Sequence, residues 1–186
     1  MMELVSRLAR EPWTDRPACV HPVLGAIARA VHDHSTSAGR QDLLPLAPRF
    51  LNTNHPGFEP TARLVALCVS TALAAEEPVG DGLTADERRR LASAHQTALH
   101  LLGSHNSPGR AARWWLPVLS QLNWSEPFYR TFVAAEHAAE AVAVTARTSS
   151  GDRDIRLRSL LKLCLATQSA VRPSPSCSAS AQKSWP

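Results

Sequence analysis

The best candidate for acid–base chemistry in this sequence is a histidine and a glutamate three residues apart, His137 and Glu140. On a helix, residues at this spacing face the same way, and apolar Val133 and Val144 share that face. Burial and a neighbouring carboxylate shift the pKa of an imidazole, which suits proton transfer. Helical di-iron proteins use Glu-x-x-His twice, whereas here the order is reversed and single. The pair is therefore a weak acid–base candidate, and a structural or solvent-facing role is the alternative.

Metal ligation has little support, although the chain contains eight histidines. His21 and His32 share one face of a predicted helix, but their spacing places them about 16 Å apart, too far for one metal ion. Cys19 and His21 form a Cys-x-His fragment that lacks a second pair of ligands. His95 interrupts an apolar stripe, which is more typical of a histidine at the edge of a core than of a ligand. We therefore expect no metal and no cofactor.

Motifs of the common enzyme classes are missing. The sequence has no glycine-rich phosphate loop, no Gly-x-Ser-x-Gly, no His-Glu-x-x-His and no dinucleotide fingerprint. This pattern favours a non-enzymatic protein, although a helical enzyme with a dispersed site would escape such a search.

Nucleic-acid binding is an alternative because the chain carries a formal net charge of +4. A nucleic-acid surface requires basic side chains that cluster on one face. The densest basic run spreads around a helix instead, and acidic residues precede it. In the last predicted helix only two basic residues are spaced to stack one above the other. The weak nucleic-acid candidates are Arg88, Arg89, Arg90, Arg158 and Lys162.

The tryptophans indicate a binding surface, because five of them occur in a chain with few aromatic residues. Trp114 and Trp115 are adjacent, so on a helix they point about 100° apart and do not easily enter one core. Exposed tryptophan is typical of hot spots in protein interfaces. We expect Trp114, Trp115 and Trp124 to form a partner or ligand surface. The alternative is that they join two helices within the fold.

Helices are predicted to position these side chains. Alanine and leucine fill the apolar positions, and β-branched runs of strand length are almost absent. At 186 residues, 44% of them hydrophobic, the chain is long enough to bury one core. The sequence predicts an all-α protein, either a compact bundle or a short stack of seven to eight helices. We expect a single domain over 1–171 and a disordered tail over 172–186.

Capping residues and prolines mark several helix starts. The N–H groups of a first helical turn have no partners within the helix. A side-chain oxygen at the start accepts one of these N–H groups, and a proline there has no N–H to leave unpaired. The predicted starts are Pro22, Thr84 with Glu87, Ser125 with Pro127, and Asp152. Two stretches, 60–77 and 126–147, predict central helices because apolar residues surround most of the helix. In the second stretch, Phe128 and Phe132 fall on one apolar face with Ala135.

A pattern that occurs twice predicts two related three-helix units, over 20–77 and 84–147. In each unit a helical run gives way to a Ser-x-Gly-Arg turn, at 37–40 and at 107–110. A Leu-Pro pair and then a long alanine-rich helix follow each turn. The alternative is that unrelated helix connections share the same turn chemistry.

The leading functional hypothesis is a non-enzymatic interaction or accessory protein. A helical DNA-binding protein is one alternative, and a small enzyme or ligand-binding protein using His137 and Glu140 is another. We expect a protein partner and no membrane association, since no apolar run is long enough to span a bilayer. The absence of a signal-like start and the apolar settings of Cys68 and Cys164 favour a cytoplasmic location. A homodimer is compatible with the sequence.

Overall fold

The computed structural model describes residues 1–74, 83–106, 125–148 and 152–170, and the described chain is all-α. Within these ranges lie seven α-helices and no strand. They are α1 Met2–Ala9, α2 Pro22–His34, α3 Ser37–Leu43, α4 Phe58–Ala74, α5 Ala85–Asn106, α6 Ala134–Thr148 and α7 Arg153–Ala170. A 3-10 helix, Leu44–Phe50, follows α3. The prediction of an all-α bundle is confirmed.

The chain enters α6 through a change of helix type. A single turn of α-helix, Glu126–Phe128, continues into a π-helical segment, Tyr129–Val133, and then into α6 without a break. None of the helices in the described ranges combines the length and the apolar character needed to cross a membrane.

Several helices begin at the caps that the sequence predicts. The Glu87 N–H donates to Thr84 Oγ1 over 3.2 Å, and the Thr84 N–H donates to Glu87 Oε2 over 3.0 Å. Side-chain oxygens of Asp152 and Ser125 accept backbone N–H groups of the following turns. Pro22 occupies the first turn of α2. These starts are confirmed.

The centre of the bundle is formed by α4 and α6, the two helices predicted to be central. α4 packs against α5 and α6, and α6 also packs along α2. α7 closes the bundle against α2, α3 and α4. Small side chains allow these helices to approach closely. The fully buried residues of the two central helices include Ala62, Leu64, Val65, Cys68, Val69, Ala72, Ala134, Ala138, Ala141 and Val142.

The turn expected at 37–40 is wrong, because this stretch forms the first part of α3. Thr36 caps the helix, since its Oγ1 accepts the Gly39 N–H over 3.1 Å. Asp154 at the start of α7 accepts the Thr36 N–H over 3.1 Å and also accepts the Thr36 hydroxyl. The contact with α7 therefore holds the start of α3 in place.

The predicted pseudo-repeats over 20–77 and 84–147 stay a prediction. The second Ser-x-Gly-Arg stretch, 107–110, lies outside the described residues, as does the predicted tail at 172–186. The first stretch is helical, so the described chain offers no pair of matching turns. The single-domain organisation over 1–171 likewise remains a prediction.

Two cysteines that are 96 residues apart in the sequence meet in the core. The Sγ atoms of Cys68 in α4 and Cys164 in α7 lie 3.8 Å apart, and both side chains are fully buried. The hydrogen bond with Cys164 and burial together raise the pKa of the Cys68 thiol well above its ordinary value. Both cysteines therefore pack as small apolar residues, as the sequence predicts.

Candidate functional site

A groove of about 520 Å³ separates the loop before α2 from the π-helical segment. We call it the π groove. Its loop wall contains Arg16 and the first residues of α2, and its helix wall contains Thr131, Phe132 and Glu136. A cavity of this size accommodates a small molecule or a few side chains of a partner protein.

Hydrogen bonds hold the loop wall of the π groove. The Glu11 carboxylate accepts the N–H groups of Ala18 and Cys19, over 2.6 and 2.9 Å. Asn54 Nδ2 donates to the Ala18 carbonyl over 2.7 Å. Because these bonds fix the backbone on the C-terminal side of Arg16, that side chain projects from an ordered loop.

A buried histidine lies at the floor of the π groove. His21 has no exposed surface, and its Nε2 lies 3.2 Å from Thr61 Oγ1. That hydroxyl donates to the Gly57 carbonyl over 3.3 Å, so we infer that Nε2 carries the proton and that Nδ1 is an acceptor. Nδ1 has no hydrogen-bond partner among the described residues. Burial, reinforced by the positive charges of Arg130 and His55, lowers the pKa of His21 to about 3.

Arg130 anchors the π-helical segment to the loop before α4. Its Nη1 donates to Asn54 Oδ1 over 3.2 Å and to the His55 carbonyl over 3.3 Å. Its Nε lies 3.5 Å from Glu126 Oε1, and the same oxygen accepts the Gly57 N–H over 3.1 Å. Only 15% of the Arg130 side chain is exposed, so these contacts are largely shielded from water. π-Helical turns within α-helices are frequent at functional sites.

Two phenylalanines are exposed where the chain enters α6. Phe132 is 58% exposed, Phe128 is 44% exposed, and their ring centroids lie 5.2 Å apart. The sequence places both on one apolar face with Ala135, but the buried residues here are Tyr129 and Ala134. A π-helical turn contains more residues than an α-helical turn, so it shifts the faces away from the spacing of 3.6 residues. The two rings therefore present apolar surface to solvent.

Glu140 of the predicted acid–base pair forms an ion pair between two helices. Arg90 of α5 donates to Glu140 Oε1 from Nε over 3.0 Å and from Nη2 over 2.6 Å. His137 is half-buried, and its Nδ1 has no hydrogen-bond partner among the described residues. Glu140 thus joins α5 to α6, and an acid–base role for His137 and Glu140 stays a prediction. Across the described ranges, no three His, Cys, Asp or Glu side chains are grouped to hold a metal ion.

At least three of the five predicted nucleic-acid candidates are ion-paired. The pairs are Arg89 with Asp86 at 3.2 Å, Arg90 with Glu140 at 2.6 Å, and Arg158 with Asp42 at 2.5 Å. Arg88 and Lys162 are exposed on α5 and α7. Because paired arginines have fewer donors for phosphates, the described surface gives limited support to nucleic-acid binding.

The predicted tryptophan surface of Trp114, Trp115 and Trp124 lies outside the described residues. Trp13 is described, and it is 65% exposed in the loop that also carries Arg16. The loop that forms one wall of the π groove therefore also presents a tryptophan to solvent.

Sequence reasoning did not identify the π groove. It considered His21 only as a metal ligand, with His32 or with Cys19, and it gave no role to Arg16. Pro22 marks the start of α2, so the position of His21 at a helix N-terminus could be predicted from the sequence. Its burial could not, because the groove joins Arg16 to Phe132, more than a hundred residues later in the chain.

Comparison with known proteins assigns no family. No protein-family model, curated protein or solved structure matches this chain. The geometry of the π groove and of the side chains around it therefore carries the functional proposal.

Proposed function

We propose that this protein is a non-enzymatic interaction protein that docks a protein partner at the π groove. The observation that carries the proposal is the exposed Phe132 ring, which lines the cavity and packs at a tilt against the Phe128 ring. Aromatic side chains beside a pocket are the usual anchors of protein interfaces. The Arg130 contacts order this wall before binding, and an ordered surface loses less conformational entropy when a partner binds.

The two alternative functions have weaker support. The Glu140 carboxylate is bound by Arg90, and the imidazole of His21 has no exposed surface from which to exchange a proton with a substrate. Most of the basic candidates are neutralised by acidic neighbours, as described above. An enzymatic or DNA-binding role would therefore depend on residues outside the described ranges or on a rearrangement of these ion pairs.

The test is to replace Phe132 with alanine and to compare the proteins that each variant captures from a lysate of the source cells. Because Phe132 is exposed, we expect Phe132→Ala to fold with little change in melting temperature. We expect a specific partner to be lost from Phe132→Ala. The same partner should be retained by wild type and by Leu163→Ala, a control in which a 54% exposed leucine of α7 is removed.

Two outcomes of the capture experiment contradict the proposal. One is that Phe132→Ala retains every partner, and the other is that Leu163→Ala loses the same partner equally. Light scattering of both variants is measured in parallel. A homodimer formed through the π groove would dissociate in Phe132→Ala and stay intact in Leu163→Ala.

A further inference from the structure

The loop wall of the π groove carries positive charge that its described neighbours do not fully neutralise. Arg16 is exposed, and no described side chain forms an ion pair or hydrogen bond with its guanidinium. Arg29 is 29% exposed; its Nη1 donates to the Asp15 carbonyl over 2.9 Å, and its Nε lies 3.9 Å from the Asp15 carboxylate. A guanidinium offers five N–H donors, so the two arginines retain several for an incoming anion.

The two arginines lie close enough to influence each other. Burial lowers the pKa of Arg29 and the charge of Arg16 lowers it further, while the carboxylates of Asp15 and Asp33 oppose the change. An anion bound at Arg16 would offset the charge that this guanidinium exerts on Arg29. Arginine pairs with carboxylates in a bidentate geometry, which gives such a contact direction as well as charge.

The remaining lining of the π groove is mainly apolar, and its helix wall carries the opposite charge. Exposed Glu136 lies on the helix wall, so a carboxylate bound there would be repelled, whereas one on the loop wall would be attracted. The apolar lining residues include Pro17, Val20, Pro22, Ala26, Phe132 and Ala135.

We infer that the π groove takes a partner segment in which an apolar side chain stands beside a carboxylate. The apolar side chain packs against Phe132, and the carboxylate binds Arg16 and Arg29. This inference rests on the proposed function, because it specifies the partner chemistry of the same site. An exposed ion pair of this kind is worth on the order of 1 kcal/mol, which corresponds to about a five-fold change in affinity.

Three capped dodecapeptides test the inference. They are alike except at one position next to a central phenylalanine, where they carry glutamate, glutamine or lysine. Amide chemical shifts of the full-length protein report both the location and the affinity of each peptide. For wild type we expect shifts at the two walls of the π groove, with the glutamate peptide binding about five-fold tighter than the glutamine peptide and the lysine peptide binding most weakly.

Charge reversal at Arg16 provides the matched comparison. In Arg16→Glu we expect the lysine peptide to bind more tightly than the glutamate peptide. Arg49→Glu makes the same change in net charge at an exposed arginine that does not line the π groove, and it should keep the wild-type order.

The outcomes separate this inference from the proposed function. Equal affinities for the three peptides, or tightest binding of the lysine peptide to wild type, would overturn the carboxylate preference while leaving docking at the π groove intact. Shifts confined to other surfaces, or none with any peptide at millimolar concentration, would also overturn the inference. The capture experiment with Phe132→Ala tests docking independently of the partner's charge.

Discussion

At the scale of single residues, His21 shows how burial and neighbouring charges set a protonation state. Its Nε2 is bound to Thr61, and the charged groups that act on it, Arg130 and His55, are both basic. A proton on Nδ1 would place a positive charge in a buried site that already favours the neutral ring. The native state therefore excludes a proton that the unfolded chain accepts.

We predict that acid weakens the fold through His21. The unfolded residue has its ordinary pKa of 6.5 and the folded residue a pKa of about 3, so between these values the unfolded state binds the additional proton. The free energy of unfolding therefore falls as the pH is lowered through this window, with a slope approaching about 1.4 kcal/mol per pH unit. As the pH rises above 7 the unfolded histidine also becomes neutral, and the slope from His21 falls toward zero. Urea unfolding at intervals between pH 7.5 and 5 measures this dependence.

His21→Gln is the matched control for this pH dependence. Glutamine does not titrate, and its amide can still donate to Thr61. We expect the variant to be less stable than wild type at pH 7.5 and to show a flatter slope between pH 6.5 and 5. If the variant kept the full wild-type slope, groups other than His21 would be responsible for it.

At the scale of elements, helix starts follow the sequence more closely than helix faces do. The Thr84–Glu87 capping box and the Asp152 cap are local, because each depends on residues three apart, and both are confirmed. The π-helical segment is held by Arg130 contacts to a distant loop, so spacing alone misplaced the exposed phenylalanines. The prediction of a turn at 37–40 was wrong for a similar reason. The start of α3 is held by Asp154 of α7, a residue more than a hundred positions away in the sequence.

We predict that alanine has opposite effects at two helical glycines. A Cβ atom at Gly39 would lie 2.5 Å from Cγ of Asp154, so Gly39→Ala must displace the carboxylate that binds Thr36. We expect a loss of about 1 kcal/mol or more, because a charged hydrogen bond outweighs the gain in helix propensity. A Cβ atom at Gly25 would lie 3.4 Å from Nη1 of Arg29, an ordinary contact, so Gly25→Ala should gain up to about 1 kcal/mol.

Chemical denaturation of the two variants measures both effects, and a second background identifies the cause. With Asp154→Ala already present, Gly39→Ala should become neutral or stabilising, because the obstructing carboxylate is gone. Continued destabilisation in that background would show that the strain at Gly39 comes from another contact.

At the scale of the whole molecule, composition and periodicity were sufficient to predict an all-α bundle around α4 and α6. A helix with apolar residues around most of its circumference is largely buried, which is why the two central helices could be identified. The contacts between distant helices could not be predicted from local patterns. Cys68 meets Cys164 in the core, and Arg16 lines the same groove as Phe132. The candidate sites predicted from spacing relied on residues that are close in the sequence. The π groove instead brings together residues that are far apart in the sequence.

Site-specific photo-cross-linking in the source cells tests docking at the π groove most directly. A benzoylphenylalanine replaces Phe132 in one variant and exposed Leu163 of α7 in the other. If a partner docks at the π groove, the probe at position 132 yields a discrete cross-linked adduct and the probe at position 163 does not. The absence of an adduct at position 132, with or without one at position 163, would contradict the assignment of the π groove as the docking site.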